Sequence, residues 1–382
     1  MEFELPETHR QLRFAVRDFC EKEVRPHAIK WDVEERFPKE IVPKLAEMGL
    51  LGIRIPEAYG GSGMDTLAYA ICVEECARVD GSLALTVASH NGLGTGHVLN
   101  FGTEAQKQKY LTKAVTGEWL AAWGLTEPGS GSDAAGMMTT ARRDATTGDW
   151  IINGTKMFIT QGSVGGFCVI LAKTDGAKRQ KGITAFIVEH GTPGFRASKH
   201  LEKLGMRSSD TVELSLEDVR VSDEQRLGEL DHGFIDTLQI LDKGRISIAA
   251  LALGLGRGAL ELGIAYAKDR KQFGKPIAEF QAIQWMIADC KVELEAAALL
   301  TYRAAWLADQ GKPFSREASM AKLYASEAAT RACNRSLQIH GGYGYTREFQ
   351  VERHLRDAKL CEIGEGTSEV QRMVIARHVL TQ

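Results

Sequence analysis

Paired cysteines are missing from this chain. Its seven cysteines, Cys20, Cys72, Cys76, Cys168, Cys290, Cys333 and Cys361, are odd in number, scattered and never spaced Cys-x-x-Cys. This excludes a disulfide framework or a zinc ribbon and suits reduced, mostly buried, small apolar side chains. Proline is sparse at 9 residues, and beyond residue 232 only Pro276 and Pro313 occur, so long helices are permitted there. No sign of charge dominates: 47 Lys and Arg against 50 Asp and Glu leave −3, which offers nothing to nucleic acid or an anionic membrane. No apolar run suggests membrane insertion, and the opening Met-Glu-Phe-Glu-Leu-Pro is acidic where export and transit peptides are basic. A cytoplasmic location is expected.

Familiar catalytic signatures are missing too. There is no Gly-x-x-x-x-Gly-Lys-Ser/Thr, no His-Glu-x-x-His and no Gly-x-Ser-x-Gly. Gly254-Leu255-Gly256-Arg257-Gly258 lies inside a helical run with no strand before it, which indicates close helix packing rather than a dinucleotide fingerprint. His340 has no partner at ligand spacing, so no metal site is expected.

What is present is enough chain, 382 residues with 44% hydrophobic and 25% charged, for two or three domains. Residues 1–117 carry helical spacing. Leu12, Val16 and Phe19 share a face, Pro26 is expected to interrupt, and Pro38 opens a helix that Gly49 closes. Further helical runs cover 67–79 and 106–115, with His90-Asn91-Gly92-Leu93-Gly94 expected to break them as a turn. Across 118–231 the pattern becomes that of strands. The stretch 149–160 predicts two strands around an Asn153-Gly154 hairpin turn, and 168–172, 183–188 and 211–216 also predict strands. No helical pattern separates them, so the sheet should be antiparallel. Residues 232–382 return to helices at about 235–268, 315–339 and the end, with Phe280, Ile283, Ile287, Cys290, Leu294 and Ala297 at bundle spacing. The plan is α+β: an N-terminal helical domain, a central antiparallel β domain and a C-terminal four-helix bundle.

The candidate chemistry centres on Ile363-Gly364-Glu365-Gly366-Thr367-Ser368-Glu369-Val370-Gln371-Arg372. One carboxylate stands between two glycines, just before a helix whose start Ser368 and Gln371 specify as a capping box. That setting suits a general base and equally a solvated loop acid. Trp123-Gly124-Leu125-Thr126-Glu127-Pro128-Gly129-Ser130-Gly131-Ser132-Asp133 exposes N–H groups and hydroxyls suited to a polar heterocycle or a pyrophosphate, or is a plain surface loop. Phe158-Ile159-Thr160 ends a strand with an aromatic ring and a hydroxyl. Asp242 and Arg245 are spaced as a local ion pair, and 270–276 puts cations at a helix end. The segment from Gln338 through Gly341, Gly342 and Gly344 is a helix end opening into a glycine turn.

Together these motifs resemble the acyl-CoA dehydrogenase family over essentially the whole chain. They are Leu-Thr-Glu-Pro-Gly-Ser-Gly-Ser-Asp, Met-Phe-Ile-Thr, Asp-Arg-Lys-Gln-Phe-Gly-Lys-Pro, Gln-Ile-His-Gly-Gly-Tyr-Gly and Glu-Gly-Thr-Ser-Glu-Val-Gln-Arg. The resemblance implies FAD as cofactor and an acyl-CoA thioester as substrate. It implies Trp123, Thr126 and Ser132 beside the flavin ring and pyrophosphate, with Ser132 also near CoA. Phe158 and Ile159 lie at the ring, with the Thr160 hydroxyl on flavin N5. Arg270, Phe273, Gln281, Gln338, Gly341 and Gly342 hold the adenine dinucleotide across a subunit interface, and Thr367 and Glu369 touch FAD again. Asp242 and Arg245 meet CoA, and Gly364 and Gly366 line the substrate. By the same resemblance Glu365 takes the α-proton while the β-hydrogen leaves as hydride, giving a trans-2-enoyl-CoA. The implied partners are an electron-transferring flavoprotein and further copies of this chain, usually a homotetramer built as a dimer of dimers.

Two departures from the family pattern stand out. Some relatives carry the base one residue before the arginine of the CoA pair, where this chain has Gly244. Straight-chain members often have tyrosine before the base, where this chain has Gly364, and the lost ring suggests a branched or bulky short acyl group. The rival readings are oxidase or monooxygenase chemistry, an acyl group carried on a protein, or a silent binding module on the same fold.

Overall fold

The computed structural model describes residues 4–381. Apolar spacing sets the first helix: Val16 and Phe19 are buried on one face of α1 (Glu7–Phe19). Pro26 does not interrupt, because a π turn (Cys20–Val24) leads directly into α2 (Arg25–Glu34), whose first turn takes the proline. α3 (Val42–Glu47) is followed by Gly49 at a left-handed φ of 70°. Asp65 caps α4 (Thr66–Val79) by accepting from the Ala68 N–H, and Asp80 caps α5 (Gly81–Ser89) by accepting from Leu83.

The expected break at 90–94 is instead a second π turn (His90–Gly94) that joins α5 to α6 (Thr95–Phe101). Buried side chains hold it open. Asn91 donates to Leu50 O and Val87 O, His90 Nε2 bonds Leu51 O, and Thr95 donates to His90 O. Short helices α7 (Glu104–Gln106) and α8 (Thr112–Val115) end this part of the chain.

The central sheet runs β6-β7-β3-β2-β4-β5-β8, with β1 also on β4. Its strands are β1 (Ala121–Gly124), β2 (Thr140–Arg143), β3 (Trp150–Thr160), β4 (Phe167–Lys173), β5 (Ile183–Glu189), β6 (Phe195–His200), β7 (Thr211–Val221) and β8 (Arg226–Leu227). Pairing is antiparallel except where β1 and β2 meet β4 in parallel, so the sheet is mixed. Asn153 and Gly154 do not turn. They form a bulge in one continuous strand, where the register to β7 shifts between Ile152 and Gly154. Asn153 ties this bulge to Asp218 through both its side-chain oxygen and its amide nitrogen. Alternation divides the sheet cleanly. Phe167, Val169, Leu171, Ala185 and Ile187 pack with Val98, Tyr110 and Leu111, while Cys168, Ile170, Phe186, Val212, Leu214 and Leu216 form the opposite core.

The chain then becomes helical: α9 (Gly233–Asp269), α10 (Gln281–Asp309), α11 (Ser315–His340), α12 (Val351–Ile363) and α13 (Ser368–Leu380), with a small hairpin of β9 (Lys271–Gln272) and β10 (Lys275–Pro276) after α9. α12 is an element that the apolar spacing does not single out. α9 is long and apolar enough to cross a membrane, yet its most apolar window is 72% buried inside the molecule, which makes it a core helix. Its glycines allow that. A Cβ on Gly254 would overlap Glu74 O and one on Gly258 would overlap Arg78 O, so α9 and α4 pack backbone to backbone. All seven cysteines are free and buried.

Candidate active site

Glu365 lies in the short link between α12 and α13. It takes a left-handed φ of 53°, uncommon for a residue with a side chain, and Gly366 follows at 93°. The paired conformation turns the carboxylate back against α9 at Gly244, where any Cβ would overlap Oε2. The glycine at 244 is thus what admits the carboxylate of Glu365, and Leu93 of the π turn lies beside the same spot. Oε2 is shut from solvent and has no hydrogen-bond partner among the described residues. Burial raises the pKa of Glu365 to about 7, against the opposing pull of the Lys322 and Arg245 cations.

The expected capping box is displaced by one residue. Thr367, not Ser368, caps α13 by accepting from the Val370 N–H, and Gln371 donates instead to Gly366 O at 2.8 Å. Gly366 O also accepts from Lys322 Nζ at 2.7 Å. Gly364 caps the end of α12, where a Cβ would meet only Leu360 at ordinary contact distances, so the backbone leaves room on that side of Glu365.

Asp242 and Arg245 are an ion pair at 2.6 Å one turn apart on α9; Ser315 donates to the same carboxylate and Arg245 donates to Ser319. Asp242 borders a cleft of about 440 Å³ that also carries Lys312, Arg316 and His378. A larger cleft of about 1220 Å³, lined by Phe101, Lys109, Glu189, Arg226 and Asp236 among others, includes none of the expected site residues.

The two segments proposed for the flavin ring are brought side by side. Met157 N–H donates to Thr126 O at 2.8 Å, which joins the loop after β1 to the end of β3. Beneath them Lys156, with no exposed surface, pairs with buried Glu127 at 2.8 Å and donates to Leu125 O. Glu127 in turn accepts from the Met138 and Thr139 N–H groups, so one buried ion pair ties strand, loop and return segment together. Trp123 is held by His97, whose Nδ1 accepts its indole N–H at 3.1 Å. Burial lowers the pKa of His97 to about 3, which keeps that nitrogen an acceptor. Phe158 stands 64% exposed at a φ of 60°. Its neighbour Ile159 points into the sheet core, so only the backbone of Ile159 is offered to this face. The hydroxyls of Thr126, Ser132 and Thr160 make no hydrogen bond among the described residues. An exposed ring, free hydroxyls and a rigid base fit a flat, polar heterocycle such as a flavin.

The other residues expected to hold FAD lie elsewhere in the chain. Arg270 lies over the Tyr343 ring at 5.6 Å, Phe273 is 94% exposed and meets Phe280 edge-on, and Gln281, Gln338, Gly341 and Gly342 are exposed around them. This cluster is at the far end of α9, about 37 Å from Gly244 at 1.5 Å per residue. Within one chain it does not meet the Trp123, Thr126 and Phe158 group, which adjoins α5 and α6. Glu369 is exposed on the first turn of α13.

Lys322, His97 and the Lys156–Glu127 pair escape a reading of the sequence. Lys322 shares its helical face with Ala318, Ser319, Ala325 and Ser326, small residues that do not mark a buried lysine, and His97 stands in a glycine-rich stretch between Thr95 and Asn100 with nothing to single it out. Glu127 is inside a recognised motif, and only the fold shows that its partner is Lys156.

Profiles for the acyl-CoA dehydrogenase N-terminal, middle and C-terminal domains match residues 6–118, 122–219 and 231–380. The chain is 46% identical to the mitochondrial short-chain specific acyl-CoA dehydrogenase of Bos taurus, over 99% of this chain and 91% of that one. It is 48% identical to the caffeyl-CoA reductase-Etf complex subunit CarC of Acetobacterium woodii, over 98% of each. Among solved structures, butyryl-CoA dehydrogenase of Megasphaera elsdenii superimposes with a TM-score of 0.97 at 43% identity, covering 100% of both chains. With matching profiles spanning nearly the whole chain and relatives close to half identical over most of their length, the chain belongs to the acyl-CoA dehydrogenase family, the FAD-dependent oxidoreductases of acyl-CoA thioesters.

Proposed function

We propose that Glu365 is the base that removes the α-proton of a short-chain acyl-CoA. The observation that carries this is the Glu365 carboxylate itself, buried against Gly244 with Oε2 unbonded and a pKa raised to about 7. A base with its pKa near neutrality is partly unprotonated at working pH and still accepts a proton readily. The backbone N–H of Glu365 makes no hydrogen bond among the described residues and is free to meet the thioester oxygen, where enolate charge develops. Bound FAD supplies the acceptor for the hydride that leaves the β-carbon. Phe158, Thr126 and Thr160 would hold the flat ring, and Trp123, braced by His97, would fix the strand end beneath it. Asp242 and Arg245 border the CoA arm, and Lys312, Arg316 and His378 beside Asp242 suit its phosphates. The product is a trans-2-enoyl-CoA, and the electrons pass on to an electron-transferring flavoprotein.

The acyl group in this proposal is short and tolerates branching, since no ring stands at 364 to crowd the α and β carbons. The assembly is a homo-oligomer in which Arg270, Phe273, Gln281, Gln338, Gly341 and Gly342 of one chain complete the FAD site of the next. The three-domain division near residues 118 and 231 and a cytosolic location belong to the same reading. The test is an anaerobic titration of the FAD-loaded protein with butyryl-CoA and isobutyryl-CoA. The wild type should bleach with both. Glu365→Gln should keep the flavin spectrum and slow bleaching by about 10²–10⁴-fold. Unimpaired bleaching in that variant rejects Glu365 as the base, and reduction by butyryl-CoA alone rejects the branched acyl group.

A further inference from the structure

Lys322 is a lysine with no exposed surface, set in α11 beside the catalytic link. A buried ammonium is costly unless its charge serves a partner, and burial lowers its pKa to about 8. Its Nζ makes one hydrogen bond, at 2.7 Å, to the carbonyl of Gly366, the residue after Glu365. Gln371 Nε2 donates to the same oxygen at 2.8 Å. Two donors therefore fix the peptide that follows Glu365, across the two consecutive left-handed residues that aim its carboxylate at Gly244. The charged and titratable groups around Glu365 come from four helices: Lys322 on α11, Arg245 on α9 with Asp242 paired to it, Tyr69 on α4, and Cys361 and Glu362 near the end of α12. Arg245 is already partnered by Asp242 and Ser319, and Tyr69 donates to Ala88 O. The other face of the link thus has one cation tied to it directly.

We propose that Lys322 is a positioning residue for Glu365: it clamps the Gly366 carbonyl and holds a positive charge behind the carboxylate, so that the base stays available at neutral pH. This rests on Glu365 being the base. The division of labour with Gln371 makes it testable, because Gln371 supplies a similar clamp without charge. Removing the cation leaves only Arg245, itself paired with Asp242, to oppose burial and drives the proton affinity of Glu365 upward, so the acid limb of the rate profile moves to higher pH.

The experiment is the pH dependence of kcat/KM for butyryl-CoA with the FAD-loaded enzyme, compared among wild type, Lys322→Met, Lys322→Arg and Gln371→Leu. Lys322→Met should move the acid limb up by about one pH unit, the lower end of the effect of a nearby opposite charge. Gln371→Leu should lower kcat with the limb in place. Lys322→Arg, which keeps the charge and moves the donor, should do the same, and it carries the test if the methionine variant does not accumulate. An unmoved limb in Lys322→Met, or a shifted limb in Lys322→Arg, overturns the inference. If Glu365→Gln is inactive while Lys322→Met keeps the wild-type limb, the base survives and only the role of Lys322 is lost.

Discussion

At the scale of single residues, the proposed site holds a carboxylate in a setting that costs folding free energy. Glu365 has a left-handed backbone, a buried Oε2 and a pKa raised above its unfolded value. Such a group stabilises the fold fully only below its unfolded pKa, and that contribution is lost as pH rises through about 7. Glu365→Gln removes the ionisation while keeping the shape. It should therefore raise the melting temperature at pH 8, with the gain shrinking towards pH 5, as thermal unfolding at the two pH values would show. A gain that is equal at both pH values means that the carboxylate is not buried in its charged form.

Among elements, the shelf proposed for the flavin depends on one buried pair, Lys156 with Glu127. Lys156→Met leaves Glu127 charged and unpaired in the sheet interior, a change that costs about 3–5 kcal/mol. It should lower the melting temperature and weaken FAD retention on gel filtration together, since Glu127 also holds the Met138 and Thr139 N–H groups. The same elements show where the sequence was legible. Helix faces at Val16 and Phe19 and strand alternation at Val212, Leu214 and Leu216 were readable because burial imposes their period. The site motifs point to a family only together, since each alone fits a surface loop, a core triplet or a local ion pair equally well. The π turns at Cys20–Val24 and His90–Gly94 were not, since proline and glycine usually stop a helix and only tertiary bonds from Asn91 and Thr95 hold the second one. Asn153-Gly154 has hairpin chemistry, yet Asp218 on the neighbouring strand captures the asparagine and leaves a bulge. Lys322 was invisible for a like reason, as its partner stands 44 positions away.

For the whole molecule, the outer face of α10 carries Trp285, Val292, Leu299 and Trp306, seven residues apart and exposed by 64, 70, 54 and 48%. Heptad spacing keeps such residues on one side of a helix, which suits contact with another helix. In the proposed oligomer a second copy would cover that stripe. Replacing Trp285 and Trp306 together by Glu should shift the mass seen by light scattering towards monomer and release FAD in step. Retention of wild-type mass places the interface elsewhere.

The seven buried thiols give the intact molecule a further property. Every cysteine is shielded, and Cys20 and Cys76 lie with their sulfurs 3.8 Å apart in the core shared by α1 and α4. A thiol reagent added to the native protein therefore reports how often the chain opens, not how reactive a cysteine is. Labels arriving in groups would mark out which parts of the structure come apart as units, with no probe engineered into the chain.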